Sequence, residues 1–122
     1  MVIFLYNVTL PSHPARRRTR IAISEILRQV AAIDIRIDHT ERILNQLGKS
    51  LEQLHGQAAS LERSGKAITP ELKNKIAKVE RQLQDSHSFI EKRRLQKDEL
   101  ASQFADDLDR YRELKGLTKK SE

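Results

Sequence analysis

An unbroken alternation of three- and four-residue steps runs along this chain from Ile23 to Leu61. Its members are Ile23, Ile26, Val30, Ile33, Ile37, Thr40, Leu44, Leu47, Leu51, Leu54, Ala58 and Leu61, and Thr40 is the one polar residue among them. An α-helix turns once in ~3.6 residues, so these steps keep one narrow stripe against a partner helix over many turns, which is the seam of a coiled coil. A chain committed to such a stripe builds paired helices rather than a deep globular core. Its composition agrees, with 33% charged residues, 4% aromatics and no Trp. There is also no Cys, which excludes a disulfide framework and thiolate chemistry.

The partner helix is expected from the same chain. Gly65 follows the stripe as a left-handed helix terminator, and Thr69-Pro70-Glu71 reads as N-cap, first helical position and acidic first turn. These signals predict helices over about 12–64 and 70–115, a turn over 65–69 and a flexible tail over 116–122. Pro14 suits the first turn of the first helix, and Gly116 marks the end of the second. Residues 1–11, rich in Val, Ile, Phe and Tyr and stopped by Pro11, are β-prone. The expected fold class is therefore all-α: a long antiparallel two-helix coiled-coil hairpin with a short β-prone N-terminal segment. A turn of about five residues forces the helices antiparallel and pairs positions whose numbers sum to about 134, Leu61 with Leu72, Leu54 with Val79, Leu44 with Ile90 and Ile23 with Tyr111.

The second helix is less regular. Leu72, Ile76, Val79, Leu83 and Ile90 keep the spacing, but Arg93 and Lys97 fall next in phase. The apolar stripe resumes as Ala101, Phe104, Leu108 and Tyr111, which predicts a four-residue stutter near 91–97 and a polar layer at Thr40. An alternative is that the long Arg and Lys stems cover the seam and carry their charges outward.

The half of the hairpin near the termini is richer in apolar residues than one seam requires. Eleven of the seventeen residues from Ile21 to Ile37 are apolar, and Leu27, Ala31 and Ile35 form a second ridge at four-residue steps. A helix apolar on two sides needs two neighbours. The ridge is expected to be covered by a second copy in a four-helix bundle, with residues 1–11 helping. The expected oligomer interface is Ile21, Leu27, Ala31, Ile35, Leu95, Leu100 and Leu108, the last three facing the ridge from the second helix. The partners implied are the chain itself, as a dimer or larger assembly, and another protein.

Net charge is +6, and residues 1–20 supply four Arg and no acid, while the span between residues 21 and 66 is neutral. Arg16, Arg17, Arg18 and Arg20, joined at the same end of a hairpin by Lys119 and Lys120, are candidates for binding nucleic-acid phosphates or another anionic partner. Asp106, Asp107, Asp109 and Glu113 approach the same end and are expected to neutralise part of the cluster. No interleaved aromatics, zinc pattern or glycine-rich loop accompanies the arginines.

Catalytic signals are missing. His13, His39, His55 and His87 are scattered, with no i, i+4 pair and no thiol, so no metal site, cofactor or small-molecule substrate is expected, and no enzyme. The run from Val2 to Tyr6 is too short to span a membrane and lacks a basic residue before it, which points to a cytoplasmic protein. Three functions are compatible: an adaptor or scaffold subunit that self-associates, a basic nucleic-acid-binding accessory protein, and an assembly or export factor that grips a larger machine by the hairpin tip at Ala67 and Ile68.

Overall fold

The computed structural model describes residues 12–121, with side chains from Pro14 to Gly116. Among the described residues the elements are two helices, α1 (Ser12–Arg63) and α2 (Pro70–Ser121), of 52 residues each. They pair as a helical hairpin. The β-prone segment 1–11 lies outside the described residues. The chain divides into two compact units, one built from the described residues up to Ile33 and from Leu95 onward, the other from Asp34 to Arg94.

In the unit containing the turn, α1 stops where its last carbonyls find other donors. The Gly65 N–H donates to Glu62 O at 3.0 Å and the Lys66 N–H to Leu61 O at 2.9 Å. This is the Schellman pattern, which requires a left-handed residue, and Gly65 supplies it with φ 71°. Glycine takes this conformation without the Cβ clash that other residues suffer. On the far side of the turn the Thr69 Oγ1 accepts from the Leu72 N–H at 3.2 Å, capping the first turn of α2. Cross-helix contacts beyond the turn accord with antiparallel pairing, His55 Nε2 to Glu80 Oε1 at 3.9 Å and Arg94 Nη2 to Glu41 Oε1 at 3.2 Å.

Burial follows the three-four spacing. Every stripe position on α1 from Ile23 to Leu61 is buried or half-buried, with Ile26, Ile33, Ile37, Thr40 and Ala58 the most enclosed. The stripe extends one step further, to Thr19, which is buried. The hydroxyls of Thr19 and Thr40 donate within their own helix, to Ala15 O at 2.9 Å and Arg36 O at 2.8 Å. Thr40 is thus satisfied by the preceding turn rather than through a polar layer across the seam.

Two expectations about α2 are corrected. The stutter near 91–97 is absent: buried and half-buried positions continue in unbroken steps as Ile90, Arg93, Lys97, Leu100, Phe104, Asp107, Tyr111 and Leu114, while Ala101 is exposed. The seam keeps its period because long stems fill it, as Arg93 does with its guanidinium 4.9 Å from the Phe89 ring centroid. The tail expected from residue 116 is also helical, since α2 continues to Ser121. Gly116 lacks the positive φ found at Gly65, so it weakens the helix without ending it.

A methyl group placed at Gly48 or Gly56, both inside α1, meets no atom within 4 Å. Gly48→Ala and Gly56→Ala are each expected to raise the unfolding free energy by about 1 kcal/mol, through helix propensity alone. A urea titration followed by circular dichroism measures it, and an unchanged midpoint would contradict the open environment at these positions.

Candidate functional site

The second ridge of α1 is solvent-exposed. Among the described residues four large apolar side chains stand out: Ile21 at 60% exposure, Leu27 at 54%, Ile35 at 70% and Leu95 at 63%. Ala31, one turn beyond Leu27, is exposed as well. Ile21, Leu27, Ala31 and Leu95 belong to the unit near the chain ends, and Ile35 to the unit containing the turn. At ~100° per residue the ridge of α1 sits roughly 140° around the helix from its buried stripe, on the side turned away from α2.

Two of the expected interface residues are placed elsewhere. Leu100 is buried at 9% exposure, as a member of the α2 stripe, and Leu108 is half-buried beside it. The assumption that charged residues could not hold the stripe had moved Leu100 off the seam; with Arg93 and Lys97 in phase it falls back into it. Leu95 also does not face the α1 ridge. It lies midway between the stripe positions Arg93 and Lys97, so it occupies the opposite side of α2, turned away from α1.

Within the unit near the chain ends the two outer faces differ in charge. The α1 face carries Arg17, Arg20 and Arg28, all exposed, around Ile21, Leu27 and Ala31, while the exposed Arg18 and Glu25 lie on one flank of the helix. The α2 face carries Asp98, Asp106, Asp109 and Glu113 against Arg112, again all exposed, around Leu95 and Ala105, with the exposed Glu99, Arg110 and Lys115 beside it. Sequence reading missed this acidic face, because the assumed stutter rotated residues beyond 97 out of phase. Counting the α2 positions from an uninterrupted stripe would have found it.

The expected ion pairs are not formed by three of the four arginines. Arg16 is half-buried and has interactions of its own. Among the described residues, Arg17, Arg18 and Arg20 make no ion pair with Asp106, Asp107, Asp109 or Glu113, whereas Arg28 pairs with Glu25 at 3.4 Å. Arg18, Asp107 and Arg110 do line one shallow surface groove of about 370 Å³, floored by Ala15, Thr19 and Ala22. Lys119 and Lys120 lie in the last turns of α2, and their side chains are outside the described residues.

Other features of the surface are modest. At the tip Ala67 is exposed and Ile68 half-buried. Shallow grooves of about 380 and 390 Å³ run beside the turn, one lined by Leu61, Thr69 and Leu72 and one by Leu54, Lys78 and Val79. Among the described residues no three His, Asp or Glu side chains are gathered to hold a metal ion, and no helix is long and apolar enough to cross a membrane. Comparisons of the chain with protein-family models, with curated proteins and with solved structures return no match.

Proposed function

We propose that the protein is a non-enzymatic coiled-coil adaptor or scaffold subunit of the cytoplasm, working through protein–protein contacts and self-association. In this reading the stripes of α1 and α2 are the coiled-coil seam, and the outer faces near the chain ends are the working surface. The observation that carries it is the exposure of Ile21, Leu27 and Leu95 beyond half on a hairpin whose stripe residues are enclosed. Burying a Leu or Ile side chain fully is favourable by about 1.5–3 kcal/mol, so a few such residues supply a useful share of an association free energy.

A second reading is supported by the lack of ion pairs at Arg17, Arg18 and Arg20 among the described residues. With Lys119 and Lys120 they would clamp the phosphates of a nucleic acid without reading sequence, and binding would weaken steeply with salt. Size-exclusion chromatography with light scattering, on protein purified with and without nuclease, separates the two. A nucleic-acid-free species heavier than the 14.1 kDa chain is the expected result. A 14.1 kDa particle that carries nucleic acid until salt removes it would transfer the function to the arginines.

A further inference from the structure

The two outer faces of the unit near the chain ends are complementary to each other while pointing in opposite directions. Exposed residues along α1 include Arg17, Arg20, Ile21, Leu27, Arg28 and Ala31, and along α2, toward the chain end, Leu95, Asp98, Ala105, Asp106, Asp109, Arg112 and Glu113. Helices of one hairpin run antiparallel, and within this unit the stripes end near Thr19 on α1 and Leu114 on α2. Arg20 therefore sits at the level of Glu113, Arg17 about one turn beyond it toward the chain end, and Leu27 at the level of Asp106. A second copy displaced sideways without rotation brings the acidic α2 face against the basic α1 face with these levels matched.

Resting on the reading of self-association, we propose that copies of this chain stack head-to-tail, the α1 outer face of one hairpin docking on the α2 outer face of the next. The charges favour this pairing over a four-helix bundle in which like faces meet in parallel. Two α1 faces brought together in parallel would oppose Arg17 and Arg20 to their own copies, and two α2 faces in parallel would oppose Asp106, Asp109 and Glu113. Like charges in contact weaken association and opposite charges steer it. Among the described residues Arg17, Arg20, Asp106, Asp109 and Glu113 form no ion pair within the chain, so they remain available to a neighbour. A contact made from two different faces is heterologous, and translation without rotation never closes a ring. The assembly is therefore open-ended.

Charge reversal tests this directly. Sedimentation of the intact chain is expected to show a mass that rises with concentration beyond the dimer and falls with added salt, as screening predicts. Arg17→Glu with Arg20→Glu, and separately Asp109→Lys with Glu113→Lys, should each reduce the particle to 14.1 kDa. An equimolar mixture of the two variants should assemble again, because each then offers the face the other lacks. If the wild type stops at a dimer, or if the α2 reversal assembles like the wild type, head-to-tail stacking is wrong while self-association stands. A wild type that stays at 14.1 kDa at all concentrations overturns both.

Discussion

Leu27→Glu combined with Ile35→Glu is expected to dissociate the assembly to the 14.1 kDa chain while far-ultraviolet circular dichroism stays unchanged. Both side chains are more than half exposed on the outer side of α1, so glutamate there disturbs neither the seam nor the helix. At a contact between copies the same change removes two apolar groups and adds two charges. The apolar loss alone, about 1.5–3 kcal/mol for a full side chain scaled to the 54% and 70% still exposed here, weakens association by roughly twentyfold to five-hundredfold. Light scattering across a concentration series reads the result. An unchanged mass would place the contact elsewhere, and a loss of helicity would show that these residues are packed within the hairpin after all.

Leu100→Ala and Leu95→Ala should have sharply different effects although the residues are neighbours in sequence. Leu100 is buried in the α2 stripe, and its truncation is expected to cost about 2–5 kcal/mol through lost transfer free energy and the cavity left behind. Total stabilities of single domains are about 5–15 kcal/mol, so this is a large fraction of the whole. Leu95 is 63% exposed, and its truncation should change stability by no more than about 0.5 kcal/mol when measured below the concentration at which copies associate. Equal effects in a urea titration would refute the uninterrupted stripe and restore the stutter.

The contrast between these two leucines also shows what was legible in the sequence. The stripe of α1 could be read because apolar residues hold every position from Ile23 to Leu61 except Thr40, and the turn because Gly65, Thr69 and Pro70 each have a local conformational meaning. The stripe of α2 was hidden because Ser86, Arg93, Lys97 and Asp107 occupy half-buried positions. Enclosure is set by helical phase, and a long cationic stem satisfies it as well as a leucine does by leading its charge outward. Residue type alone misassigned Leu100, and with it the orientation of Leu95 and the acidic face. Thr19 was passed over for a related reason: its hydroxyl is satisfied by Ala15 O, so it is buried at little cost. The exposed residues Ile21, Leu27, Ala31 and Ile35 were legible as an excess over what one partner helix covers.

The compact turn between Arg63 and Pro70 has a consequence for dilution. Two separate helices that pair are held together only while their concentration exceeds their dissociation constant. A short tether turns the same pairing into an intramolecular event, at an effective concentration in the millimolar range or above. The hairpin therefore keeps its pairing at dilutions that would separate copies stacked as proposed. A subunit built as proposed would lose its neighbours first on dilution and its own helix pairing last, so that its assembly would respond to abundance while its fold would not.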